Sequence, residues 1–188
     1  NLLDEAVTRA RQVIESRALA DDDDAAPRVV ESQQVAEVVG LGAIKYFDLS
    51  HSLSSDYTFD IDTMLSLEGN TAPYMMYAYA RIRSIGRKAG VDFAALPDNA
   101  PIVLEHPSEI ALAKKLVQFA EKFAVVESEL RPNVLTDYLY ELAKTFSRFY
   151  DKRLGVRVID ASSESLRLSR LRLCDLTART LKLGLFLL

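Results

Sequence analysis

Between residues 74 and 88 the chain sets aromatic and cationic side chains at helical spacing. Tyr74, Tyr77 and Arg81 fall at i, i+3 and i+7, on one face of a helix, and Arg83, Arg87 and Lys88 follow with no acidic residue between Arg81 and Lys88. Rings beside guanidinium groups suit single-stranded nucleic acid, because unpaired bases stack on rings at about 1–3 kcal/mol each while cations meet phosphates. The same spacing also describes an aromatic stripe buried in a core. From spacing alone the core reading stays ahead.

Other residues with chemical potential are sparse. There is no glycine-rich phosphate loop followed by Lys-Ser or Lys-Thr, no G-x-S-x-G and no H-E-x-x-H. The one cysteine, Cys174, excludes an internal disulfide and a cysteine-based zinc cluster. It sits among Leu171, Leu173 and Leu176, a setting that predicts a buried, inert thiol. The two histidines, His51 and His106, leave little for metal or triad chemistry, and His106 directly before Pro107 suits a helix cap. Four adjacent aspartates, Asp21 to Asp24, cannot converge on one ion; with Pro27 beyond them they read as an exposed loop. No catalytic site and no metal site is expected.

These side chains need helices to hold them, and the composition supplies helices. The chain has 188 residues, 49% hydrophobic and 27% charged, with only 7 Gly and 6 Pro to interrupt it. No run approaches the ~18 apolar residues of a membrane span, and no signal peptide opens the sequence, so a soluble, cytoplasmic protein is expected. The net charge of −4 averages over unlike parts: −9 in residues 1–70, −1 in 71–143 and +6 in 144–188. Such asymmetry fits a polyanion-binding half, or helix faces of differing sign.

Apolar residues recur at three and four positions in Leu2–Leu19, in a segment from Ser32 to Phe47 that contains Gly40 and Gly42, and in a short stretch near Asp60 or Asp62. The turn Glu68-Gly69-Asn70-Thr71-Ala72-Pro73 then predicts an N-cap at Thr71 and a helix running to Ala89, closed by Gly90. Pro107–Glu129, Val134–Tyr150 and Ser169–Leu187 complete the helical segments, with a polar connection over 151–168. The expectation is all-α: a bundle of about four to five long helices with an amino-terminal helical appendage.

The segment Met64-Leu-Ser-Leu-Glu-Gly-Asn-Thr-Ala-Pro-Tyr-Met-Met-Tyr-Ala-Tyr-Ala-Arg-Ile-Arg-Ser-Ile85 closely resembles the carboxy-terminal part of the arginyl-tRNA synthetase family. Gly42-Ala-Ile-Lys-Tyr-Phe-Asp-Leu49 and Asp56-Tyr-Thr-Phe-Asp60 are similar to stretches just upstream of it. Asp137-Tyr-Leu-Tyr-Glu-Leu142, Phe146-Ser-Arg-Phe-Tyr-Asp151 and Ser169-Arg-Leu-Arg-Leu-Cys174 continue the resemblance in order, so it covers nearly the whole chain. It leans toward the eukaryotic cytosolic type.

The resemblance implies a DALR-type helical anticodon-binding domain over 61–188, with 1–60 as the tail of a catalytic half. Leu2-Leu3-Asp4-Glu5-Ala6 resembles the stretch soon after the K-M-S-K-S signature, which with H-I-G-H would lie upstream. It implies ATP and Mg2+ as cofactors of the full-length enzyme and none in this part, with the 188 residues alone inactive. The implied partners are the anticodon loop of tRNA(Arg) and the catalytic domain, with no membrane and no DNA. The implied RNA-binding residues are Tyr74, Tyr77, Arg81, Tyr150 and Asn70, the last in the anticodon-shaping turn Ser66–Thr71. Two departures weaken the resemblance locally: Leu154 stands where some members carry an aromatic, and members continue past Leu188 in a short tail. The rivals are the helical domain of another class I synthetase, such as the cysteinyl one, and a non-catalytic helical adaptor that binds protein.

Overall fold

A computed structural model of the chain describes residues 2–18, 29–97, 101–151, 153 and 156–188, the side chains of 15–18 and 29–32 excepted. Among the described residues there is no strand. The α-helices are α1 Leu2–Ala18, α2 Val29–Leu49, α3 Ile61–Met64, α4 Ala72–Lys88, α5 Pro107–Val117, α6 Phe119–Glu129, α7 Asn133–Phe149 and α8 Glu164–Leu187, with a 3-10 turn at Phe93–Ala95. The all-α expectation holds, and among the described residues no helix is long and apolar enough to cross a membrane. Asp21–Asp24 and Leu154 lie outside the described residues.

The chain divides into two compact units, Asn1–Tyr77 and Ala78–Leu188. In the first, α1 lies closely on α2 because small residues line the contact. Ala6, Ala10, Ala36 and Ala43 are buried, and a Cβ at Gly40 would stand 2.8 Å from the Val7 Cα and 2.9 Å from the Ala6 carbonyl. The glycine inside a helical pattern is therefore explained by backbone approach. Met64 of α3 and Leu65 join Ala10 and Ala43 in one buried cluster, with Val39, Ile44, Phe47 and Ile61 packed against it.

In the second unit α7 is central. Leu135, Tyr138, Leu139, Leu142, Ala143, Phe146 and Phe149 recur at three and four residues and all are buried, while Asp137 and Glu141 face solvent. Helices α5, α6 and α8 pack on it, α8 with Gly184 close against Leu139, and Leu171, Ala178 and Leu181 of α8 are buried. Cys174 is buried there, and burial pushes its thiol up, which keeps it protonated.

Three boundaries differ from expectation. The segment 107–129 is two helices rather than one, broken at Gln118. The Lys115 carbonyl accepts both the Gln118 N–H at 3.3 Å and the Tyr138 hydroxyl at 2.9 Å, a tightened turn fixed from α7. No glycine or proline marks that break. Helix α8 starts at Glu164 rather than Ser169, since the Ser163 hydroxyl caps it by accepting the Leu166 N–H at 3.2 Å. Helix α2 starts at Val29, ahead of Ser32.

Candidate nucleic-acid interface

In the first unit the turn before α4 is fixed by its own polar groups. The Thr71 hydroxyl donates to the Ser66 carbonyl at 2.6 Å and accepts the Tyr74 N–H at 3.2 Å, capping α4 as expected. The Glu68 N–H donates to the Ser66 hydroxyl at 3.0 Å, and Gly69 occupies the left-handed region at φ 86°, where a side chain would be strained. Asn70 follows, half-buried, its Oδ1 accepting the Tyr46 hydroxyl of α2 at 2.7 Å. Tyr74 is half-buried and Tyr77 is 41% exposed, so Tyr77 is no core aromatic. The buried side of α4 is instead carried by Met75, Ala78, Ile82 and Ile85.

In the second unit the structure brings together two residues far apart in sequence. The Arg81 guanidinium carbon lies 5.4 Å from the centroid of the Tyr150 ring, a cation–π contact. Behind it the Phe146 ring is parallel to Tyr150, at 6.1 Å between centroids and 7° between planes. Arg81 is exposed and Tyr150 half-buried. Burial pushes the Tyr150 phenol up, against the pull of Arg81 and Lys88, so the ring stays neutral and keeps its attraction for cations.

Asp151 is gripped by Arg153 through Nε at 3.0 Å and Nη2 at 2.7 Å, which holds its carboxyl down to about 2, with a smaller pull from Arg81. Arg83 lies over a different ring, Phe93, at 5.5 Å. Both contacts were invisible in the chain order. So was Tyr46, whose place in an apolar helical pattern gives no signal of a partner in the turn.

The remaining chemical candidates serve the fold. His106 caps α5, its Nδ1 accepting the Ser108 N–H at 3.2 Å, and Glu109 answers by accepting the Glu105 and His106 N–H groups at 2.7 and 2.8 Å. Glu109 also takes the Arg170 guanidinium at 2.6 Å, and Arg170 in turn donates to the Arg157 carbonyl at 2.9 Å. Burial raises the Glu109 carboxyl, but these bonds outweigh it and leave it below its ordinary value. Among the described residues no group of three or more His, Cys, Asp or Glu converges as metal ligands do.

Fold and side chains together define a class: an all-helical module carrying aromatic and cationic groups on its helices, preceded by a close-packed helical pair. The chain belongs to the DALR anticodon binding domain family, which residues 75–188 match, while residues 1–61 match the catalytic domain of class I tRNA synthetases (R). The arginine–tRNA ligase of Nostoc sp. is 54% identical over all of this chain and 32% of its own length. That of Synechocystis sp. is 55% identical over all of this chain and 31% of its own length. The leaning toward a eukaryotic cytosolic type is not what these relatives show.

Among solved structures, Thermus thermophilus arginyl-tRNA synthetase superposes with a TM-score of 0.83 at 34% identity, covering 99% of this chain and 30% of that one. The Plasmodium falciparum enzyme gives 0.80 at 32% identity, over 100% of this chain and 31% of that one. The chain thus spans under a third of the curated relatives it matches, in the region that holds their anticodon-binding domain.

Proposed function

We propose that this chain is the anticodon-binding part of an arginine–tRNA ligase that joins arginine to tRNA(Arg) in the cytoplasm, with its catalytic domain as intramolecular partner. The match of residues 75–188 to the DALR family carries this reading. Unstacked bases of the anticodon loop lie on Tyr74, Tyr77 and the Arg81–Tyr150 pair, Asn70 adds a hydrogen bond from the turn, and cations on α4 meet phosphates. The join between catalytic tail and binding domain falls near residue 61, a placement supported by one family match running to 61 and the other starting at 75.

The whole enzyme activates arginine with ATP and Mg2+, which supply the adenylate chemistry. The 188-residue chain by itself is expected to show no arginine-dependent ATP–pyrophosphate exchange, and any exchange by the purified chain contradicts that.

Binding of tRNA(Arg) to the wild type and to Tyr77→Ala tests the reading. Tyr77 is 41% exposed, and its loss is expected to weaken binding by about 1–3 kcal/mol. Unchanged affinity overturns the role of Tyr77. Binding that ignores salt between ~50 and ~200 mM favours the protein-binding adaptor instead.

A further inference from the structure

Asp151 follows Tyr150 in the chain, so a carboxylate stands near the cation that the ring holds. One residue takes up both of its oxygens. Arg153 donates its backbone N–H to Oδ1 at 2.9 Å, its Nε to Oδ1 at 3.0 Å and Oδ2 at 3.1 Å, and its Nη2 to Oδ2 at 2.7 Å. We infer that Arg153 is a positioning residue: by occupying the Asp151 carboxylate it leaves the Arg81 N–H groups to an anionic or acceptor atom of the RNA loop. This rests on the reading of the chain as an anticodon-binding part, and names within it what keeps one contact available.

The Arg153 bonds need a reason beyond stability. The Arg153 side chain is 88% exposed, and an ion pair at such a surface contributes little to folding. Asp151 also has the wrong sign for a nucleic-acid face, because a carboxylate repels phosphates and competes with them for guanidinium groups. Arg81 is near enough to feel that competition, since it helps to lower the Asp151 carboxyl, though less than Arg153 does. Yet among the described residues Arg81 donates no hydrogen bond and forms no ion pair; it lies over the Tyr150 ring.

Proximity in the chain decides which arginine takes the carboxylate. Arg153 is two residues from Asp151, and its backbone N–H already closes a local turn on Oδ1, so its side-chain fork needs little further ordering to complete the pair. The five N–H donors of Arg81 then stay with the RNA side. Removing the Arg153 guanidinium takes away all the side-chain bonds to Asp151 and leaves Arg81 as the cation that acts on it.

Affinity of the 188-residue chain for tRNA(Arg), at one fixed salt concentration, tests this in two mutant cycles. Arg153→Gln is expected to weaken binding about ten-fold, the loss of one charged contact to the RNA. In an Arg81→Gln chain the same change is expected to have no further effect, because Arg153 acts through Arg81. Adding Asp151→Asn to Arg153→Gln is expected to bring affinity back to within about two-fold of the wild type, since the freed carboxylate is then gone. Losses from Arg153→Gln and Arg81→Gln that add in full overturn the inference, because Arg153 then meets the RNA itself or acts by net charge alone. A Arg153→Gln/Asp151→Asn chain as weak as Arg153→Gln overturns it too, as does unchanged binding by Arg153→Gln. If the wild type does not bind tRNA(Arg), the function itself fails. If Tyr77→Ala weakens binding while Arg153→Gln does not, only the inference about Arg153 fails.

Discussion

On the proposed reading, Arg81 meets two demands that a lysine would satisfy only in part. Its guanidinium lies 5.4 Å from the Tyr150 ring, where a planar cation gains from stacking while its edges stay open to phosphate or base. Arg81→Lys is expected to weaken tRNA binding by about 1 kcal/mol with the salt dependence unchanged. Arg81→Ala is expected to weaken it more and to lower the salt slope by about one. Equal affinities for the wild type and Arg81→Lys would reduce Arg81 to a point charge. Helical spacing alone was enough to group Tyr74, Tyr77 and Arg81. The partner ring, Tyr150, lies beyond three intervening helices, and no local pattern records such a meeting. Its assignment rested on resemblance, and geometry supplied the contact.

Helix boundaries were legible wherever a residue type dictates backbone shape. Gly90 ends α4 at φ 65°, Thr71 opens it, and His106 with Pro107 opens α5. They were not legible at Gln118, where a hydroxyl from α7 tightens the turn, nor at Ser163, one serine among several in a polar stretch. The end of α6 is the opposite case: Leu130 sits at φ 53° with nothing in its type to announce it. Because Leu130 is 75% exposed, Leu130→Gly removes that conformational penalty with little lost packing, and is expected to stabilise the second unit by about 1 kcal/mol in urea unfolding.

The buried Glu109–Arg170 pair joins α5 to α8 at the same level of structure. Glu109→Ala strands the guanidinium and is expected to cost about 3–5 kcal/mol. The Glu109 carboxyl is held below its ordinary value, so its stabilisation is complete above the ordinary glutamate range and is lost as pH falls through the lowered folded value. The stability gap between wild type and Glu109→Gln is therefore expected to shrink on acidification. A gap independent of pH would mean that the charge contributes nothing.

For the molecule as a whole, net charge is the quantity that misleads. The −4 total averages an acidic first part, at −9 over residues 1–70, with a basic end, at +6 over residues 144–188, so it never argued against a polyanionic partner. The all-helical class was legible from few glycines and prolines and from apolar periodicity. The division between Tyr77 and Ala78 was not, because it falls inside α4, where helical periodicity runs on without a break. The most direct measurement is the dissociation constant of the 188-residue chain for tRNA(Arg) beside that for the same tRNA carrying another anticodon, at one fixed salt concentration. An anticodon-reading surface binds tRNA(Arg) tighter by about 1–3 kcal/mol. Equal affinities for the two RNAs would contradict it.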